Sequence, residues 1–285
     1  MLLHTHIHIR RRQIRSQLVR TAIILCTVLT LLPLLYILAY IIRRGIGVMH
    51  LSFFLQLPKP VGESGGGIAN ALVGSLLIVG MATLMAVPVG ISSALYLSEH
   101  PKGKLAGIIR ICLEVLTGIP SIVVGIVAYY WLVRPMGSFS ALSGSVALAI
   151  MMLPIMIRSA EETLKRFPLH LREASLALGV PYYKTILKVL LPCSLSGVVS
   201  GIMLSIARVI GETAPLLFTA FGNPYLTANI FHPMHSLPLL IYNYAISPYE
   251  NWHQLAWGAA MVLLVWILLL NVLTRIMIRK WSVQY

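Results

Sequence analysis

The chain has 285 residues, of which 58% are hydrophobic and 11% are charged, and its mean hydropathy is +0.86. Because a soluble domain carries about 25% charged residues, this composition excludes an ordinary soluble protein and predicts a membrane protein with several spans. The formal net charge of +14 does not indicate nucleic-acid binding, since the basic residues flank or separate apolar runs.

The N-terminal part combines a basic tail, 1–20, with an apolar run, 21–42. This run is long enough to cross ~30 Å of hydrocarbon at ~1.5 Å per residue. Arg43 and Arg44 follow it directly, without a small-residue cleavage site, so the pattern predicts a transmembrane helix instead of a removable signal peptide. This first helix and its outer loop are assigned to 21–67.

Three histidines, His4, His6 and His8, alternate in the basic tail. Imidazole is a common metal ligand, but three histidines before a cluster of arginines are more typical of a mobile tail. The three cysteines, Cys26, Cys112 and Cys193, are too widely spaced for a metal or disulfide pattern. No metal site and no cofactor are therefore predicted.

Five further apolar runs are long enough to be spans: 69–97, 108–132, 142–157, 194–217 and 255–278. The fold class is therefore predicted to be all-α, with six transmembrane helices. The fourth span is short and has Pro154 near its end, so we expect it either to tilt little or to finish within the membrane interface. Glu114, followed by Gly118 and Pro120, predicts a kink with a structural or gating role in the third span.

The distribution of Lys and Arg predicts the orientation. The basic residues on one side are Arg10, Arg11, Arg12, Arg15, Arg20, Lys102, Lys104, Arg110, Arg158, Lys165, Arg166, Arg172, Lys184, Lys188, Arg275, Arg279 and Lys280, seventeen in all. The other side has four: Arg43, Arg44, Lys59 and Arg134. Both termini are therefore expected in the cytoplasm, with the protein in the cell inner membrane and the basic tail near anionic lipid.

The longest outer connection, 218–253, has no Lys or Arg but is rich in aromatic residues and prolines. An interfacial or re-entrant element is one interpretation. The other is that Tyr and Trp simply lie at the headgroup level, where they are enriched.

A partly charged block, 159–192, interrupts the apolar pattern on the cytoplasmic side. We expect a helix with the i,i+4 pairs Glu161–Lys165 and Glu162–Arg166, a break at Pro168, and a second short helix. The second helix is predicted to end at Gly179, which suits a position with positive φ, and Pro181 to open the next helix. A short helix with an apolar face needs a cover, either from neighbouring helices or from a partner chain.

This block resembles the EAA loop of ABC-importer permease subunits, in which Glu-Ala-Ala is followed by Gly and later by Ile-x-Leu-Pro. The matching residues are Glu173, Ala174, Ser175, Gly179, Val189, Leu191 and Pro192. Ser175 replaces the second Ala and Val189 replaces Ile. The resemblance implies that the helix docks in a groove on an ATP-binding subunit, a reasonable mode for an amphipathic helix.

Three further segments, 116–125, 153–164 and 206–220, are similar to the PstA family of the phosphate-specific ABC importer. This resemblance implies a type I importer (MetI-like) permease core over 68–285, with the coupling loop at about 159–192. It also implies partners: a second homologous permease subunit, ATP-binding subunits and an extracytoplasmic phosphate-binding protein. Together the two permease subunits would form the pathway for phosphate.

Two charges, Arg208 and Glu212, lie inside the predicted fifth span, four residues apart. A helix places them on one face, with Arg208 about 21 Å along the span. An Arg at the bilayer centre costs roughly 2.5–3.5 kcal/mol on insertion scales. One interpretation is a buried pair that only stabilises the bundle. The other is a cation that lines an anion path, since the guanidinium donates parallel hydrogen bonds to an oxyanion.

Residues after this pair extend the second interpretation. Pro215 is expected to kink or end the helix, and freed backbone groups are tolerated only where protein or water satisfies them. The hydroxyl of Thr213 could contribute to the same path.

The sequence contains no G-x-x-x-x-G-K-[ST] segment and no set of catalytic residues at usable spacing, so we do not expect an enzyme. Two alternatives to phosphate import stay open. One is a permease for another oxyanion, such as sulfate or molybdate. The other is a secondary transporter or channel that works alone.

Overall fold

The fold was described from a computed structural model, which describes residues 2–63, 65–166 and 169–281. In these residues all regular secondary structure is helical, which confirms the all-α prediction. The helices are α1 (Leu2–Gly45), α2 (Leu51–Leu55), α3 (Ala69–Glu99), α4 (Lys104–Gly118), α5 (Ser121–Ala128), α6 (Arg134–Met136), α7 (Ala141–Lys165), α8 (Leu169–Ala177), α9 (Tyr182–Thr185), α10 (Leu191–Cys193), α11 (Leu195–Val209), α12 (Ala214–Leu217), α13 (Leu237–Ala245) and α14 (Glu250–Trp281). Two π-helical turns, Tyr129–Val133 and Ile186–Leu190, join α5 to α6 and α9 to α10.

Four of the described helical stretches are long and apolar enough to cross a membrane: Arg15–Val48, Ala69–Glu99, Ala141–Lys165 and Glu250–Met277. Two bent pairs, Lys104–Gly118 with Ser121–Met136 and Tyr182–Cys193 with Leu195–Val209, raise the total to six if each pair is one span. The predicted six spans therefore correspond to four continuous helices and two broken ones.

The third span is bent by 107° between α4 and α5. Ile119 has extended backbone angles (φ −73°, ψ 130°), as expected for a residue before proline, and α5 begins directly after Pro120. The predicted kink is present, but it is a complete break with a sharp change of direction.

The expectation of a short fourth span is wrong. Helix α7 continues through the buried Pro154 to Lys165, so the predicted first surface helix of the cytoplasmic block is the end of this span. The Glu161 carboxylate is paired with Lys165, at 2.6 Å, and with Arg110 of α4, at 2.9 Å. These cations neutralise the charge that made the segment look like a surface helix.

The two predicted i,i+4 pairs of this segment differ in outcome. The Glu161–Lys165 pair is confirmed, whereas no ion pair joins Glu162 to Arg166, both of which are described. The predicted break at Pro168 lies outside the described residues.

The predicted fifth span, 194–217, is interrupted earlier than the break expected at Pro215. Helix α11 ends at Val209, and helix resumes only at α12. Gly211 lowers helix propensity within this gap, and Pro215 in the first turn of α12 has no N–H to donate to a preceding helical turn.

The core is formed by α3 and α7, with α11 packed against α7. Glycines set the close approach of the last pair. A Cβ atom at Gly197 would lie 2.0 Å from Thr163 Oγ1, and one at Gly201 would lie 2.7 Å from Ser159 Cβ. Small residues at such positions let backbones approach and gain van der Waals contact where the hydrophobic effect contributes little.

Replacing Gly197 with valine is expected to separate α7 from α11 and to destabilise the protein, because the new side chain meets Thr163. Overpacking costs about 1–3 kcal/mol, occasionally more. Thermal unfolding of the purified protein in detergent measures the effect. The matched control is Gly80→Ala in α3, where a Cβ atom meets nothing within 4 Å. Equal unfolding temperatures for Gly197→Val and Gly80→Ala would contradict the inferred packing role.

The first and last helices are in contact at the outer side predicted for both. Tyr40 of α1 packs edge-on against Trp257 of α14, with ring centroids 5.1 Å apart. Gly45 allows the approach, since a Cβ atom there would lie 2.8 Å from the Trp257 carbonyl oxygen. Most other side chains of α1 that the structure describes are exposed, as expected for a helix that faces lipid along most of its length.

The long outer connection contains α13, whose Leu237, Leu239 and Leu240 are fully buried. The helix packs chiefly against α14 and α3. It is therefore an internal element of the bundle, which favours the re-entrant interpretation over aromatic anchoring alone.

Candidate coupling loop and transport site

The loop with the EAA-like pattern forms a helix, a tight turn and a second helix, as the sequence predicts. Helix α8 ends at Ala177, and Gly179 follows with φ +76°, in the left-handed region that favours glycine. The N–H of Gly179 donates to the carbonyl of Leu176, and that of Val180 to the carbonyl of Ser175. Pro181 then precedes α9. The predicted roles of Gly179 and Pro181 in the backbone are confirmed.

Most residues of this loop are exposed in the isolated chain. Glu173, Ala174 and Pro192 have exposed side chains, and Leu178 is 83% exposed. Ser175 is half-buried, and its hydroxyl shares a 3.0 Å hydrogen bond with that of Thr185 in α9. Leu176, Tyr182 and Tyr183 are exposed as well, so the loop presents several apolar side chains, and a group of exposed apolar residues typically marks an interaction site.

The structure brings Arg208 and Glu212 together, but loosely. Arg208 Nε lies 3.9 Å from Glu212 Oε1, which is too long for a hydrogen bond. The side chains are 48% and 21% exposed. Their pairing thus leaves donors of the guanidinium free for another acceptor.

The depth of Arg208 follows from its neighbours. Val209 and Ile210 are buried in one cluster with Leu148 and Met152 of α7. These α7 residues lie well inside a helix that runs from 141 to 165, so Arg208 is level with the interior of α7, although α11 itself ends one residue later. A half-exposed cation at this depth cannot face hydrocarbon without a large cost.

Pro215 and Thr213, which follow or adjoin the Arg208–Glu212 pair in sequence, lie in different surroundings. Pro215 is buried against α5, where a Cβ atom at Gly125 would meet the Pro215 Cα atom at 2.7 Å. Thr213 instead borders a mainly apolar cavity of about 550 Å³, together with Ile41 of α1 and residues of α13 and α14. The predicted ending of the helix by Pro215 takes place earlier, at Val209.

Glu114 has an exposed side chain on α4, one turn before the break at Pro120. An exposed carboxylate on a helix of a broken span is expected to face protein or water instead of lipid. Glu114, like Arg208, therefore lies on a surface of the isolated chain that is expected to contact protein or water in the membrane.

Sequence reasoning missed two long-range ion pairs at the ends of the spans that are predicted to be cytoplasmic. Arg110 pairs with Glu161, 51 residues away, and Arg172 pairs with Glu99, 73 residues away. Local spacing carries no signal for such pairs. The histidines His4, His6 and His8 have side chains outside those described.

A helical bundle with continuous and broken spans and an exposed loop helix defines a membrane protein with several spans and an uncovered surface on its loop. Residues 86–283 match the family described as "Binding-protein-dependent transport system inner membrane component", so the chain is an inner membrane component of a transport system. Phosphate transport system permease protein PstA of Yersinia pestis is 41% identical over 248 residues, covering 87% of this chain and 84% of the relative. The PstA protein of Pasteurella multocida is 36% identical over 274 residues, covering 96% and 97%. The chain belongs to the PstA family.

The fold also matches a solved structure. An inward-facing crystal form of the MetNI methionine ABC transporter gives a TM-score of 0.64 with 18% sequence identity, covering 76% of this chain and 96% of that chain. This likeness supports the predicted MetI-like fold.

Proposed function

We propose that this chain is the membrane permease subunit of an ATP-driven phosphate importer and forms half of the pathway for the anion. The carrying observation is Arg208, a half-exposed cation beside the break in the fifth span and level with the interior of α7, with only a 3.9 Å contact to Glu212. A second permease subunit would cover this face and leave an aqueous path between the two chains. The guanidinium then offers paired donors to phosphate oxygens. The PstA relatives supply the choice of phosphate over other oxyanions.

The loose pair suits transport better than a purely structural role. A pair that only stabilised the bundle would be buried and hydrogen-bonded, because an unpaired charge inside a protein is costly. Glu212 here limits the positive potential at the Arg208 site, so that phosphate is held weakly enough to leave. The half-buried hydroxyl of Thr213 lies next to this pair in sequence, but its apolar cavity makes direct contact with phosphate a minor contribution.

The loop helix is the proposed docking element for an ATP-binding subunit. Glu173, Ala174 and Gly179 lie on an exposed segment, and Leu178 presents an apolar side chain to the partner. Ser175 supports the loop helix through its hydrogen bond to Thr185. Pro192 lies in α10, directly before the fifth span. The chain itself has no phosphate-binding loop for ATP and therefore relies on the partner for hydrolysis.

The orientation follows from the positive-inside rule. With both termini and the loop helix in the cytoplasm, ATP-driven closure of the ATP-binding subunits displaces α8, and rocking of the spans alternates access to the path. An extracytoplasmic phosphate-binding protein would deliver the anion to the opposite face. Glu114, on α4 before the 107° bend, and Pro120, within the bend, are the proposed gate region.

Gentle purification followed by reconstitution tests this function. We expect an ATP-binding subunit and a second permease to copurify, and vesicles with the binding protein to take up inorganic phosphate only with ATP. Uptake of sulfate or molybdate in preference to phosphate would favour the permease for another oxyanion. Uptake by the isolated chain, driven by an ion gradient, would contradict the proposal and support a stand-alone transporter.

A further inference from the structure

One arginine joins the loop helix to the main bundle. Arg172 of α8 pairs with Glu99, the last residue of α3: Nη1 donates a hydrogen bond to Oε1 at 3.2 Å, and Nη2 lies 2.8 Å from Oε2 as an ion pair without hydrogen-bond geometry. The guanidinium also lies over the ring of Tyr182, 5.0 Å from its centroid, and donates to the Tyr182 hydroxyl. A single side chain therefore connects α3, α8 and the start of α9.

The carboxylate of this pair is nearly buried. The Glu99 side chain is 7% exposed and that of Arg172 is 31% exposed. An isolated buried carboxylate is unfavourable, so separation of the pair carries a penalty that a surface ion pair lacks. The link is thus stiff compared with an exposed salt bridge.

The same end of α3 is fastened to the next two spans. Arg110 of α4 donates to the Pro101 carbonyl at 2.7 Å and to Glu161 of α7 at 2.9 Å. Helices α3 and α7 pack together along their length in the core. A force applied to Glu99 therefore reaches both helices of the core.

Other polar connections from α8 are few. Among the side chains that the structure describes, the only further hydrogen bond from α8 to another element is that of Ser175 to Thr185. That bond ties α8 to α9, which is itself part of the loop. Arg172 is the direct polar link from the loop helix to a continuous span.

We infer that the Arg172–Glu99 pair is a positioning pair, which transmits the displacement of α8 to α3 and α7 during transport. The inference rests on the proposed function, in which a partner moves α8. If the pair acts in this way, its removal separates ATP hydrolysis from phosphate movement while the complex stays assembled. A role in folding alone would instead reduce the amount of complex without changing the phosphate carried per ATP.

The test compares variants in vesicles that contain the complete transporter and the binding protein, with inorganic phosphate uptake and ATP hydrolysis measured together. Arg172→Ala is expected to lower phosphate uptake per ATP at least tenfold while hydrolysis continues. Glu99→Gln keeps the side-chain shape and removes the charge, and it is expected to give the same direction of change with normal assembly. Arg172→Lys, which keeps the charge but not the paired donors, is expected to fall between Arg172→Ala and wild type.

Arg166→Ala is the matched control, because Arg166 follows the last residue of α7 and precedes α8, is exposed, and forms no ion pair among the described residues. It is expected to keep wild-type uptake per ATP. If Arg172→Ala does not assemble, Glu99→Gln decides: tight coupling in that variant would overturn the inference. Each variant is compared with wild type by the ratio of anion taken up to ATP hydrolysed. A wild-type complex that takes up no phosphate contradicts the proposed function and not the inference about the pair. If the wild-type complex carries another oxyanion, that oxyanion replaces phosphate in the comparison.

Discussion

Replacing Arg208 with alanine is expected to reduce ATP-dependent phosphate uptake at least 100-fold while the transporter complex still assembles. The uptake falls because the path loses its cation and the paired donors that a guanidinium offers to phosphate oxygens. Assembly survives because Arg208 contributes only a 3.9 Å contact to Glu212 and is 48% exposed in the single chain. Radiolabelled phosphate uptake in vesicles, with the amount of complex measured in parallel, checks both parts.

Two further variants separate charge from geometry at this position. Arg208→Lys keeps the positive charge but replaces the planar, parallel donors of the guanidinium with a compact ammonium group, so we expect partial uptake. Glu212→Gln removes the compensating negative charge and is expected to hold phosphate more tightly and to slow its release. Loss of the folded complex in Arg208→Ala would favour the interpretation of a pair that stabilises the bundle.

Replacing Gly179 with valine is expected to uncouple ATP hydrolysis from transport. The φ angle of +76° is strained for any β-branched residue, so the turn between α8 and α9 would rearrange and move the docking surface. No atom lies within 4 Å of a Cβ placed at Gly179, so within this chain the effect comes from the backbone and not from crowding. Uptake per ATP hydrolysed in reconstituted vesicles measures the coupling.

Asparagine provides the matched control, because it tolerates the left-handed region better than other non-glycine residues. Gly179→Asn is expected to retain most coupling. Equal loss in both variants would indicate that the partner's groove leaves no room for a side chain there. Normal coupling in Gly179→Val would contradict the proposed role of the turn.

The sequence predicted the helical class and the positions of the spans because long apolar runs have few alternatives in a bilayer. It also predicted the Gly179 turn, since glycine at a helix end has a specific conformational meaning. The end of the fourth span was missed because Glu161 reads as a surface residue until its partner Arg110 is known. A hydropathy profile counts Glu161 as charged, because it does not include the neutralisation of that charge by a residue of another helix.

The candidate site was also predicted only in part. Spacing placed Arg208 and Glu212 on one face, and the structure brings them together, but α11 ends at Val209, before Glu212. A proline was expected to end that helix at Pro215, whereas the unwound stretch begins earlier, where Gly211 weakens helix propensity. The Arg172–Glu99 pair was out of reach, because nothing near either residue in the sequence specifies a partner 73 positions away.

The contact between Tyr40 of α1 and Trp257 of α14 has a consequence for biogenesis. During synthesis the first helix enters the bilayer long before its partner has left the ribosome. It must therefore persist as an independent lipid-embedded segment until the final helix arrives, in keeping with insertion of helices before their association. In nascent chains arrested before α14, we therefore expect every earlier span to be inserted in the bilayer and α1 to be separate from the other helices.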